Sequence, residues 1–298
     1  MKVAVVAHSG KSMGGGLLEL RRELAARGVD DLIWSEVPKS RKAPGEVGRA
    51  LESGADLVFA WGGDGMVRRC AEVIAGTAAT LAILPAGTAN LLATNLGIPQ
   101  EVSAAVEIGL HGRRRMLDVG RFNDERFVVM AGAGFDAAMI RGAGTGKLKE
   151  HYGRLAYIWS GATNLRLEPF RAKVAVDGVT WFKGSVSCIL LGNVGALFGG
   201  IEVFEGARPD DGKLDVGVAT ADGLVEWGRV LARTAFGSVA KSPFVETTTA
   251  HAVDVELDRK VRYELDGGDR SRLKSFTAEV EPAALRVCVP DRRAPTRK

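Results

Sequence analysis

What this chain lacks narrows what it can be. It has 3 cysteines, Cys70, Cys188 and Cys288, widely spaced and without a C-x-x-C pair. That argues against a disulfide framework and a cysteine zinc site, and points to buried thiols in a reducing cytoplasm. No apolar run reaches the roughly eighteen residues of a membrane-spanning helix, so none is expected. The opening Met1-Lys2-Val3-Ala4-Val5-Val6-Ala7 is soon followed by glycines and reads as a first β-strand, not a secretory signal. The P-loop pattern G-x-x-x-x-G-K-[ST] is absent. No nucleic-acid-binding module accompanies the basic residues, so no nucleic-acid partner is expected.

What is present describes a globular protein. A chain of 298 residues has the length for two domains or one large one, and 46% hydrophobic with 26% charged residues suits a soluble core-forming sequence. The net charge of +4 is mild but unevenly placed, at Arg113-Arg114-Arg115, at Lys147 and Lys149, and at Arg292-Arg293 with Arg297-Lys298. Each cluster is as compatible with a solvated face as with attraction to an anionic membrane or a nucleotide.

The rhythm of the chain changes near residue 120. Before it, apolar runs at Val3–Ala7, Leu32–Trp34, Leu57–Ala60 and Leu81–Leu84 read as buried strands. Leu17, Leu20 and Leu24, and Val102, Val106 and Leu110, recur at helical spacing between such runs, which implies a mostly parallel α/β sheet. After it, Phe127–Ala131, Ala172–Val176, Trp181–Leu191, Leu214–Ala219, Val253–Leu257, Val261–Leu265, Thr277–Val280 and Leu285–Val289 read as strands, with Asp177-Gly178 as a hairpin turn. Helical insertions are expected around Gly153–Asn164 and Gly223–Phe236. The expected organisation is an α/β nucleotide-binding domain over 1–120, an antiparallel β-domain over 121–290, and a basic tail over 291–298 packing back on the first domain.

Glycine, at 38 residues, is concentrated in particular loops. Trp61-Gly62-Gly63-Asp64-Gly65-Met66 follows a buried strand, at the strand end where α/β sheets bind ligands. Without side chains, such glycines let backbone N–H groups close on a phosphate, while Asp64 can serve Mg²⁺, a hydroxyl or its own turn. Leu84-Pro85-Ala86-Gly87-Thr88-Ala89-Asn90 follows the next strand, so in a parallel sheet the two loops lie side by side. Thr88 is placed to cap a helix over Asn90–Leu96. The first strand also ends in a small-residue loop, His8-Ser9-Gly10-Lys11-Ser12-Met13-Gly14-Gly15-Gly16.

The spacing of Gly62-Gly63-Asp64-Gly65 to Pro85-x-Gly87-Thr88-x-Asn90, ending Leu96-Gly97-Ile98-Pro99, resembles the diacylglycerol kinase catalytic-domain family. The likeness continues through Gly132-Ala133-Gly134-Phe135-Asp136-Ala137, Gly153-x-Leu155-Ala156-Tyr157, Pro209-Asp210-Asp211-Gly212-Lys213-Leu214-Asp215-Val216 and Leu265-Asp266-Gly267, covering nearly the whole chain. The resemblance implies a Rossmann-like N-terminal domain, a C-terminal β-sandwich, and transfer of the γ-phosphoryl group of ATP, with Mg²⁺, to a lipid hydroxyl, diacylglycerol foremost. It implies that Gly62, Gly63, Asp64, Gly65, Gly87, Thr88 and Asn90 serve the nucleotide, and Ser9 and Lys11 of the first loop, where the family's signature is replaced, are further candidates to meet a phosphate. It assigns the general base or hydroxyl-orienting role to Asp266, and a Mg²⁺-holding loop to Asp210, Asp211 and Asp215. Phe135, Ile140, Leu155, Tyr157, Ile158, Trp159, Leu197 and Phe198 are candidates to line a lipid pocket, although core packing is the commoner role for any one such residue.

Three positions depart from the family pattern. Met66 replaces a threonine, Gly268 replaces the glutamate of D-G-E, and Ala7-His8-Ser9-Gly10-Lys11 replaces N-P-x-S-G. The expected partner is a lipid substrate at an anionic membrane surface, reached by a cytoplasmic protein attached peripherally. A dimer is compatible with the sequence, which does not determine oligomeric state. NAD kinase, which shares the GGDG loop, and a catalytically impaired nucleotide- or lipid-binding regulator are the alternative readings.

Overall fold

Strands buried on both faces cannot alternate polar and apolar residues, and β3 (Leu57–Gly62) and β4 (Thr80–Pro85) are buried at every position. In the computed structural model, which describes residues 1–29, 31–134, 168–197, 201–223, 226–227, 229–230 and 242–291, they belong to a parallel sheet with β1 (Val3–His8) and β2 (Leu32–Val37). The order is β2-β1-β3-β4. Between the strands run α1 (Gly16–Ala26), α2 (Ala43–Glu52) and α3 (Asp64–Ile74), followed after β4 by α4 (Leu91–Asn95) and α5 (Val102–His111). Each long helix turns its apolar stripe to the sheet: Leu20 and Leu24 on α1, Val47 and Ala50 on α2, Val102 and Val106 on α5. Pairing of α1 with α5 and of α2 with α3 makes the α/β layers.

The chain leaves this unit along β5 (Arg113–Phe122), a strand the charge cluster at its start had concealed. Contact density divides the molecule into Met1–Leu117 with the stretch from Ala283, and Asp118–Pro282. The second unit is a β-sandwich built from β6 (Glu125–Phe127), β7 (Met130–Ala133), β8 (Phe170–Val176), β9 (Val179–Val186), β10 (Cys188–Gly192), β11 (Ala196–Leu197), β12 (Ile201–Glu202), β13 (Leu214–Ala219), β14 (Val245–Ala250), β15 (Ala252–Leu265) and the first part of β16 (Gly268–Val289). Within this unit the pairs are antiparallel. Its core gathers Phe127, Val174, Ile189, Val216, Val255 and Leu265. The ring of Phe122 lies between those of Tyr263 and Phe276, at centroid distances of 5.1 and 4.4 Å.

Several strands differ from the sequence expectation. Val253–Leu257 and Val261–Leu265 form one strand, β15, bent at a register shift between Glu256 and Val261. Thr277–Val280 and Leu285–Val289 likewise form one strand. Beyond Ala283, where φ is 47°, β16 takes Arg286 and Val287 into parallel pairing with Thr80 and Leu81 of β4. Its last apolar residues are therefore core of the first unit. Asp177-Gly178 is the expected hairpin turn, with φ values of 50° and 83°. The helix expected around Gly153–Asn164, most of that around Gly223–Phe236, Lys147, Lys149, and the basic tail beyond Asp291 lie outside the described residues.

Candidate nucleotide and phosphoryl-transfer site

In the first unit β1 lies between β2 and β3, and the connection after β1 runs to β2 while the one after β3 runs the opposite way to β4. Such a switch point opens a crevice at the carboxyl ends of the strands. Three of the candidate loops begin there, after β1, β3 and β4. Register places Gly62 opposite Pro85, and the Ala86 N–H donates to the Gly62 carbonyl at 3.0 Å. Beyond that rung the two glycine loops touch. A Cβ on Gly87 would lie 2.3 Å from the Gly63 Cα, a distance no side chain survives. The loops lie side by side, as the strand order predicts.

The polar side chains of these loops are spent mainly on the loops themselves. Asp64 accepts the Asn90 N–H at 3.0 Å and also the Leu91 N–H, so its carboxylate caps α4. Burial raises its pKa, and those backbone donors oppose the shift. Asn90, not Thr88, is the N-cap residue, held at φ 49°, a conformation asparagine tolerates. Its side-chain amide donates to the Pro85 and Gly87 carbonyls and accepts the Gly87 N–H at 2.9 Å, which fixes the second loop in shape. Thr88 stays exposed on the crest of that loop, free of the capping task the sequence suggested.

The first loop is different. Glu19 takes the Gly15 N–H and so occupies the entrance of α1 with a carboxylate, where a pyrophosphate would sit in a dinucleotide fold. Ser9 and Lys11 are exposed, and the loop is tied down through the Lys11 carbonyl, which accepts the Trp61 indole N–H at 3.0 Å. By contrast α3 starts directly after Gly63, an N-cap that brings no side-chain acceptor of its own. A helix entrance built from Gly63 and Gly65, beside Gly87, is the arrangement that receives a phosphate group. Met66 does not face it: it is 2% exposed and packs over Gly62, so the hydroxyl lost at this position is replaced by core.

In the second unit Asp266 sits in the two-residue turn between β15 and β16, with φ 47° followed by 76° at Gly267. It is 3% exposed, and its carboxylate accepts the N–H groups of Val128, Val129 and Met130, each at 2.9 Å. These three bonds pin the start of β7 to the turn. Gly268 has a role of its own. The Arg270 guanidinium folds over its backbone, 2.9 Å from where a Cβ would be, and reaches the Glu125 carboxylate at 2.8 Å. Glu264, which nothing in the strand pattern distinguished from a solvent-facing residue, is fully buried with neither carboxyl oxygen hydrogen-bonded.

The aspartates of the acidic loop before β13 have different partners. Asp210 pairs with Arg208, with Oδ1 3.4 Å from Nε. Asp211 accepts the Lys213 N–H at 3.1 Å, and Asp118, which the sequence reading passed over, accepts the Gly212 N–H at 2.7 Å. Burial and the charge of Asp211 push Asp215 up to about 6. A half-buried carboxylate that feels the charge of a second one suits a divalent cation. Among the described residues no group of three or more His, Cys, Asp or Glu converges as a metal site. A cation held by Asp211 and Asp215 would draw its other ligands from water and backbone, which is how Mg²⁺ is commonly bound. Of the apolar lining candidates, Phe135, Ile140, Leu155, Tyr157, Ile158, Trp159 and Phe198 lie outside the described residues.

Known proteins carry this combination of loops. Residues 2–122 match the diacylglycerol kinase catalytic domain, and residues 129–289 match the YegS C-terminal NAD kinase beta sandwich-like domain. A protein described as a "probable lipid kinase YegS-like" from Klebsiella pneumoniae is 30% identical over 251 residues, covering 82% of this chain and 81% of its own. A diacylglycerol kinase of Mycobacterium tuberculosis is 29% identical over 289 residues, covering 94% and 90%. The crystal structure of a diacylglycerol kinase from Bacillus anthracis shares the fold at 20% identity, with a TM-score of 0.75 over 97% of this chain and 96% of that one. An NAD kinase from Archaeoglobus fulgidus is more distant, at 11% identity and a TM-score of 0.50 over 98% and 94%. The chain belongs to the diacylglycerol kinase and YegS-like family of lipid kinases.

Proposed function

We propose that this lipid kinase transfers the γ-phosphoryl group of ATP to the free hydroxyl of diacylglycerol, giving phosphatidic acid. The observation that carries the reading is the backbone contact between the Gly63 and Gly87 loops at the entrance of α3. Phosphoryl transfer depends chiefly on positioning and charge neutralisation, and a rigid double loop beside a helix N-terminus supports both for a triphosphate. Asp64 and Asn90 act by holding the loops in shape, while Thr88, Ser9 and Lys11 are exposed to meet the nucleotide. Bound Mg²⁺ would neutralise phosphate charge, and Asp211 with Asp215 would hold a cation in the acidic loop. A sheet that keeps Glu19 at its first helix entrance disfavours a dinucleotide there, which weighs against NAD as acceptor.

We further propose that the protein works from the cytoplasm at an anionic membrane surface. No helix among the described residues is long and apolar enough to cross a bilayer. Of the basic triplet, Arg113 is exposed, whereas Arg114 turns inward to the carbonyls of Gly112 and Leu110 and the thiol of Cys288. Membrane attraction from this strand therefore falls to Arg113 more than to its neighbour. The test is incubation with labelled ATP and a total lipid extract, followed by identification of the product. Labelled phosphatidic acid supports the reading. Label in NADP, or ATP binding without turnover on any lipid, overturns it in favour of the NAD kinase or regulatory alternative.

A further inference from the structure

The crevice of the first unit contains a polar side chain that the nucleotide reading leaves unassigned. β1 is buried from Val3 to Ala7, and its last residue, His8, is partly exposed where the strand opens into the first loop. The parallel register places Ala7 opposite Trp61 of β3 and His8 opposite Val37 of β2, so His8 stands beside Gly62. Its Cβ is 3.6 Å from the point that a Cβ on Gly62 would occupy. The ring folds back on the first loop, and Nδ1 accepts the Gly10 N–H at 3.1 Å. Two backbone bonds hold the same loop: the Lys11 N–H donates to the His8 carbonyl at 3.1 Å, and the Ser9 N–H to the Val37 carbonyl at 3.0 Å.

A backbone N–H can only donate, so Nδ1 presents a lone pair and the ring carries its proton on Nε2. Among the described residues, the bond from Gly10 is the hydrogen bond that the ring makes. Nε2–H is therefore an open donor whose position is fixed twice, by the strand at Cβ and by Gly10 at Nδ1. Shaping the loop does not call for a ring, since an asparagine oxygen accepts the N–H two residues on in the same kind of turn. What imidazole adds is the second, donating nitrogen. We propose that His8 is a nucleotide-binding residue that donates from Nε2 to a phosphate oxygen of ATP. The inference rests on the lipid-kinase reading above and adds a side-chain contact to it. The α3 entrance supplies backbone N–H groups beside Gly62, and His8 adds a neutral donor to an ionised acceptor. Lys11, exposed on a flexible stem, supplies charge without direction, whereas the His8 ring is already oriented before ATP arrives. No bond to phosphorus forms or breaks through His8, which orients ATP and takes no proton.

The experiment measures binding of ATP with Mg²⁺, and of adenosine, to the full chain by calorimetry, comparing wild type with His8→Asn. Asparagine keeps an acceptor for the Gly10 N–H and removes the donor at the reach of Nε2. Expected is a loss of ATP affinity of about tenfold to a hundredfold, with adenosine affinity and melting temperature unchanged. In the imidazole ¹⁵N–¹H spectrum, the signal absent from His8→Asn should shift when ATP is added to wild type and stay in place with adenosine. A role confined to shaping the loop would be rescued by asparagine and would not move that signal. Unchanged ATP affinity in the variant, or an unmoved signal, overturns the inference and leaves the kinase reading intact. Equal losses for ATP and adenosine also overturn it, because the contact is then not with phosphate. Wild type that binds no ATP overturns both readings. Should His8→Asn fail to fold, His8→Gln serves for the affinities and for assigning the signal, with the same outcomes.

Discussion

Replacing Asp266 by asparagine tests the hydrogen bonds that tie the turn between β15 and β16 to the start of β7. Asparagine has nearly the same volume and tolerates the φ of 47° at this turn, so backbone strain is not introduced. Its carbonyl oxygen can keep the Val129 and Met130 N–H groups, but those bonds become neutral. Each then weakens from about 1.5–3 to about 1 kcal/mol. The amide nitrogen takes the place of the other oxygen and faces the Val128 N–H, leaving a buried donor unsatisfied at about 1–3 kcal/mol. The total is roughly 2–7 kcal/mol, a large share of the 5–15 kcal/mol typical of a domain. With a urea m-value near 3 kcal/mol/M, the midpoint of the unit carrying residue 266 should fall by about 1–2 M. Urea titration followed by tryptophan fluorescence, which includes Trp181 and Trp227 of that unit, measures it. A midpoint within about 0.2 M of wild type would refute the hydrogen-bond argument.

Other outcomes follow from the same geometry. Gly87→Ala drives a methyl to 2.3 Å from the Gly63 Cα, so the loops must part. ATP affinity should fall at least tenfold, and fluorescence titration with unchanged affinity would separate the loop contact from binding. Met66→Thr restores the residue usual in the family, but at a site that is 2% exposed, so it should destabilise by about 2–4 kcal/mol without raising kcat. A gain in activity at equal stability would show that the hydroxyl reaches the nucleotide. Asp215, with its folded pKa raised to about 6, contributes stability that is present below its unfolded value near 3.9 and lost as pH rises through about 6. Mg²⁺ should therefore raise the melting temperature at about pH 7.5 but not at about pH 5, and Asp215→Asn should remove the response. An equal Mg²⁺ effect at both pH values would exclude this pair as the site.

Periodicity and composition were enough to reveal the architecture, because burial on both faces demands uninterrupted apolar strands and a half-buried helix demands its stripe. Leu57–Ala60 and Leu81–Leu84 are strands for that reason, and the loops following them had to be neighbours in a parallel sheet. Motif spacing carried the family with it. Strand continuity was less legible, since it depends on pairing with distant residues: β16 runs through Ala283 only because β4 offers its end a parallel edge. The direction in which a side chain spends its hydrogen bonds was not legible at all. By sequence, Asp64 and Asp266 are carboxylates beside glycines, equally suited to ligand, base or turn. Tertiary structure supplied their partners, by bringing the N–H groups of Asn90 and Leu91 to one and those of Val128, Val129 and Met130 to the other. It also left Glu264 without a partner, because alternation along a strand says which face a residue takes but not whether water or protein covers that face.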